Sequence, residues 1–126
     1  MEVMTPATFA AAGVGGKEIV VITGLPVDDY KSDENKRIVK NHLMGKHEIV
    51  TLRGKDRTTR SVTTVTDVIV VPETLGTYWN LLFGDNGAVN PLYTGNVAFF
   101  DIGRFSACLV VINKGKFDED NSKTTQ

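Results

Sequence analysis

The chain has 126 residues, a formal net charge of −1, 41% hydrophobic and 23% charged residues, and a single cysteine. That is enough for one domain with its own core, and it is the composition of an ordinary globular protein rather than a disordered or disulfide-stapled one. Near-zero net charge gives no global pull toward nucleic acid or membrane, and no apolar run approaches the length of a transmembrane helix. No basic stretch followed by an apolar core marks a signal peptide at the N-terminus.

Residues 1–16 read as an arm of small residues, with Phe9 its one large aromatic group. Alone, such a segment buries too little surface to offset its ordering entropy. Residues 17–115 read as one α+β domain. Residues 18–23 form its first strand, continuous and apolar from Ile19 to Ile22, and Gly24-Leu25-Pro26 turns it. Asp28, Asp29, Asp33 and Glu34 precede a helix over 32–44, where acids near the N-terminus favour the dipole and Gly45 stops the run. Residues 47–53 read as a strand, and 54–57 as a turn into the next.

The strongest signal is the stretch 61–84. Val, Ile and Thr dominate 62–71, as a pleated surface favours. Val68, Ile69, Val70 and Val71 are apolar on both parities, so the strand is expected in mid-sheet with both faces covered. Pro72 ends it, and Pro72-Glu73 suits a helix start. Leu75, Tyr78, Trp79 and Leu82 then recur at the spacing of one buried helical face, and Gly84 stops the helix. Residues 96–101 and 105–113 read as two strands joined by a hairpin turn at Asp101-Ile102-Gly103-Arg104. Cys108 falls in the apolar run 107–112 and reads as a buried, inert thiol. Residues 116–126 read as an acidic, polar tail.

The order strand, helix, strand, strand, helix, strand, strand (βαββαββ) matches a mostly antiparallel, ferredoxin-like sandwich with one added C-terminal strand.

Candidate chemistry is sparse. Gly13-Val14-Gly15-Gly16-Lys17 lacks the first glycine and the Ser/Thr of a phosphate loop, and no strand precedes it, so it reads as a linker. The acids at 28–34 match no EF-hand spacing. His42 and His47 have no nucleophile or cysteine partner at a useful spacing. Catalytic residues, metal ligands and cofactors are therefore expected to be none, and the chain is read as leaning away from an enzyme. Val21-Ile22-Thr23-Gly24-Leu25-Pro26 resembles the first-strand motif of RNA-recognition domains, without the aromatic-rich partner motif.

Charge is lopsided. Residues 36–60 carry eight bases against Glu48 and Asp56, whereas the flanking segments are acidic. Arg53, Lys55, Arg57 and Arg60 gather around one hairpin, suited to a phosphate backbone or an acidic partner surface. Asp118, Glu119 and Asp120 in the tail, with Phe9 in the arm, suit contacts to a neighbouring subunit, tail to hairpin. The sequence-level reading is thus a non-enzymatic subunit of a homo-oligomer, of capsid, decoration or tail type, in the cytoplasm or a virion. The alternatives are a small nucleic-acid-binding module and an enzyme. Copies of itself are the expected partner, with nucleic acid second and no membrane.

Overall fold

The computed structural model describes residues 4–53 and 57–125. Its elements are α1 (Met4–Ala11), β1 (Glu18–Leu25), α2 (Val27–Tyr30), α3 (Asp33–Leu43), β2 (Gly45–Arg53), β3 (Arg57–Pro72), α4 (Leu75–Leu82), a 3₁₀ turn (Pro91–Tyr93), β4 (Asn96–Ile102), β5 (Ala107–Asn113) and β6 (Lys116–Thr125). The strands form two three-stranded sheets, β1-β3-β2 and β4-β5-β6. The α+β class expected from the sequence holds. The ferredoxin-like sandwich does not, because β4 pairs with β5 rather than entering a sheet with β1 and β3. Residues group into two compact units, Met1–Thr23 with Arg37–Ile69, and Gly24–Lys36 with Val70–Gln126.

In the first unit β2 and β3 make an antiparallel hairpin from Gly45↔Val65 to Arg53↔Arg57. Thr64 N–H donates to the Lys17 carbonyl, and further along Glu73 N–H donates to the Leu25 carbonyl. The two strands therefore advance in the same sense, which makes the sheet mixed. Over that distance β3 gains one residue on β1. The extra residue shows in the burial: Thr63 and Val65 are buried, then Val68 and Val70. The parity switches at Asp67, whose carboxylate accepts from Val68 N–H at 2.8 Å. This is the signature of a bulge, where one unpaired residue re-aims the side chains that follow. It corrects the expectation that both faces of 68–71 are covered: Ile69 is 44% exposed between two buried valines. The apolar residues of both parities serve one face, before and after the shift.

Residues 4–11, read from the sequence as part of an arm, form α1. Alanine is the best helix former, and Pro6 sits in the first turn, where proline is tolerated. α1 packs on β2 through buried Phe9, whose ring meets His47 edge-on at 5.4 Å. The glycines after it have steric roles that the linker reading lacks. Gly13 and Gly16 adopt positive φ, and a Cβ on Gly15 would lie 2.6 Å from Ser61 Oγ. Thr63, fully buried, donates its hydroxyl to the Val14 carbonyl at 3.0 Å, tying this loop to β3.

The second unit is built on Cys108, Val110 and Ile112, the inward parity of β5, packed with Val27, Leu75 and Tyr78. Residues 116–125, read as a tail, form β6. Phe117 meets Tyr30 edge-on at 5.7 Å. Between Leu109↔Lys123 and Val111↔Asp118 the β5–β6 register shifts. Buried Ser122 fills the gap: its Oγ accepts from Val111 N–H at 2.9 Å and its hydroxyl donates to the Asp118 carbonyl. The polarity that suggests a tail is that of a sheet edge, where charge discourages pairing with other chains.

Pro72 closes β3 instead of opening a helix. α4 starts after Thr74, and Leu75 and Tyr78 are buried while Trp79 stays 40% exposed. Trp79 falls at the rim of the stripe that Leu75, Tyr78 and Leu82 define. Tyr78→Ala should accordingly cost about 3–5 kcal/mol of stability in urea titrations, and Trp79→Ala about 1 kcal/mol or less.

Candidate functional site

The basic hairpin is only partly within the described residues. Lys55 lies outside them, and Arg53 and Arg57 pair through their backbones at the end of β2 and β3. Arg60 is exposed and bonds Glu48 at 3.4 Å, a surface pair of little energetic weight. The acids at 28–34 find local partners. Asp28 accepts from Thr124 N–H at 3.3 Å, Asp29 from the Asn35 amide at 3.0 Å, and Asp33 pairs with Lys36 at 2.7 Å. That bond to Lys36 holds the exposed Asp33 carboxyl below its ordinary range. His47 Nε2 lies 2.7 Å from the Leu43 carbonyl, at the exit of α3. Among the described residues no group of three or more His, Cys, Asp or Glu is placed to hold a metal ion.

In β6 the three acids differ. Glu119 and Asp120 are exposed. Asp118 is engaged: the Asn121 side chain donates to it at 2.9 Å, the Asn121 backbone N–H at 3.1 Å, and the Asn113 amide donates as well. Its carboxyl is held below the usual range, chiefly by the Asn121 side chain and then by the Asn121 N–H.

A different set of residues makes the more suggestive site. α4 and the β4–β5 turn line a shallow cavity of about 280 Å³ with Thr74, Thr77, Phe99, Phe100 and Asp101. Thr74 caps α4 in a left-handed conformation, φ 70°. For a β-branched residue this is backbone strain, of the kind that gathers at functional sites. Its hydroxyl donates to the Glu73 carbonyl at 2.5 Å. Thr77 and Tyr78 N–H groups donate back to the Thr74 carbonyl. The amides of Leu75 and Gly76 precede them, where helix geometry supplies no intrahelical acceptor and the dipole favours an anion. Nothing lies within 4 Å of a Cβ position on Gly76, so approach is open.

Across the cavity, β4 ends and the chain turns sharply. Gly103 N–H donates to the Ser106 carbonyl at 2.8 Å, and a Cβ on Gly103 would sit 3.3 Å from that oxygen. The turn presents Asp101, Arg104 and Ser106 to solvent, with the Arg104 guanidinium 5.1 Å from the Phe105 ring centroid. Sequence reading treats this segment as a hairpin turn and gives Thr74 and Thr77 no role. The available signal is two threonines at a helix start and an Asp-X-Gly turn. It has no meaning until the fold brings the two together.

The family model described as actin-like proteins N-terminal domain matches residues 1–76, and the chain belongs to that family. Among solved structures, the actin-like protein Alp7A superposes with a TM-score of 0.71 at 19% identity, covering 95% of this chain and 38% of that one. The archaeal actin homologue Ta0583 in complex with ADP gives 0.67 at 18% identity, covering 96% and 38%. The AlfA filament bound to AMPPNP gives 0.60 at 21% identity, covering 94% and 36%. The chain thus spans less than two fifths of the length of these structures. No curated protein matches it. Membership in an actin-like family overturns the virion reading and removes the support for a nucleic-acid-binding module. Basic residues on one hairpin were too general a signal, equally suited to solvent. No helix among the described residues is long and apolar enough to cross a membrane.

Depressed Asp118 sets a pH expectation. Its stabilising contacts are fully present above the unfolded carboxyl value, about 3.9, and are lost as pH falls through the lower folded value. In an NMR titration its midpoint should lie below about 3.9, and Asn121→Ala should raise it toward that value.

Proposed function

We propose that this chain forms part of an actin-like protein of the cytoplasm that assembles with copies of itself into filaments and binds an adenine nucleotide. The reading is carried by the family match over residues 1–76. It is supported by the likeness to structures described as an ADP complex and as an AMPPNP-bound filament. The nucleotide would sit with its phosphates in the cleft between the start of α4 and the β4–β5 turn. When bound it supplies the phosphoanhydride whose charge the cleft must hold.

The donor set there fits polyphosphate. The Leu75 and Gly76 amides and the Thr77 hydroxyl point charge-matched donors at one space, and Arg104 brings a cation from the turn. Asp101 is an acceptor and repels a bare phosphate. Its place is beside a cation or a proton that accompanies the nucleotide. Gly103 keeps the turn tight enough to leave the cleft open on that side.

Calorimetric titration of the protein with AMPPNP tests this. Thr77→Val and Arg104→Ala should each weaken binding about tenfold, the size of a lost charge-assisted or hydroxyl hydrogen bond. Sedimentation should show polymer only when nucleotide is present. Unchanged affinity in both variants would remove the cleft from the account.

A further inference from the structure

Each three-stranded sheet has two edges, and in each sheet they differ in kind. In the sheet β4-β5-β6, the β6 edge is polar, with Lys116, Asp118, Glu119, Asp120 and Lys123. The β4 edge, Asn96–Ile102, has one charge, Asp101, at its end. In the sheet β1-β3-β2, the β2 edge carries Lys46, Glu48 and Arg53, while β1 carries only Glu18 at its start. A strand edge left in water is a template for pairing with other chains, and proteins blunt such edges with charge. Here one edge of each sheet is blunted and the other is not.

The outward side of β4 is apolar too. Phe100 and Ile102 are 65% and 73% exposed. In register they stand opposite Leu109 and Ala107 of β5, and Ala98 stands opposite Val111, so the six form one continuous apolar face. β1 repeats the pattern with Val20 and Ile22, 54% and 63% exposed. A contiguous apolar face beside an unpaired strand edge is the surface that receives an added strand, main chain to main chain with side chains in register.

We propose that the free edge and apolar face of β4 receive polypeptide from the part of an actin-like fold that lies outside residues 1–126. The occupant is chosen by length. Alp7A and the Ta0583 complex match almost all of this chain with only 38% of their own, so most of each such fold is polypeptide with no counterpart here. A partner of that kind brings strands and apolar helices in the amount the face requires. The proposal rests on the family assignment and not on the nucleotide cleft.

The probe is Alp7A with its matched portion deleted, supplied in two formats: linked to this chain as a chimera, and mixed with it as a separate polypeptide. Hydrogen exchange is followed at the β4 amides, with β5 amides as the internal reference for folding. In the isolated chain β4 should exchange fast while β5 is protected. With the probe, β4 exchange should slow by about tenfold or more. Ala98→Lys with Ile102→Lys, neither of which lines the cleft, should restore fast exchange in β4 and leave β5 protection and AMPPNP affinity unchanged. Fast β4 exchange in both formats overturns the proposal. So does protection of β4 in the isolated chain at twice its monomer mass, which assigns the face to a second copy. Loss of nucleotide binding with β4 protection intact would count against the cleft alone.

Discussion

Burial of the inward face of β5 is the constraint on which the unit of residues 24–36 and 70–126 depends. Cys108, Val110 and Ile112 are almost wholly removed from water, and they meet Val27, Leu75 and Tyr78. Each such side chain is worth roughly 1.5–3 kcal/mol when fully buried. The contact fixes more than stability. Tyr78 and Leu75 lock the roll of α4, which sets where Thr74 and Thr77 point. The pairing of β5 with β4 sets where the chain must reverse, at Gly103. The cleft is therefore a by-product of the core: two structures each held by β5 leave their polar ends facing one space.

Polar groups are placed with the same economy. Thr63 and Ser122 are buried, and both are bonded to backbone. Among the described residues no buried side-chain nitrogen or oxygen lacks a partner. Ser122 in particular stands in for a ladder bond that the β5–β6 shift removes, so a strand of mostly polar residues still closes the sheet. Asp67 does the equivalent work in β3, where its carboxylate holds the amide at the bulge and lets one strand keep a single buried side through a change of phase.

What the sequence made legible follows from these forces. β5 alternates along 107–113, and the run of Val, Ile and Thr in β3 marks a long strand, so both are readable from pattern alone. The hairpin of β2 and β3 is readable for the same reason. α1 is not, because its one anchor is Phe9 and its remaining residues give no periodic stripe. β6 is not, because an edge strand selects charge and hides its single Phe117. The phase shift in β3 is invisible in a run where every parity is apolar. Trp79 was placed on the buried face because spacing alone does not say where a stripe ends. The cleft was the least legible feature. Thr74 and Asp101 are 27 positions apart, and nothing local relates a strained helix cap to a distant turn. Family membership, not any catalytic motif, is what turned the functional reading from a virus-like subunit to an actin-like protein.

The most direct test of the central claim is a chemical-shift map of the amides during titration with AMPPNP, a method that registers weak binding residue by residue. The account predicts that the perturbed amides cluster at 74–77 and 101–106, on the two sides of the cleft. Perturbations centred instead on the groove around His42 and His47, or none at any nucleotide concentration, would contradict it.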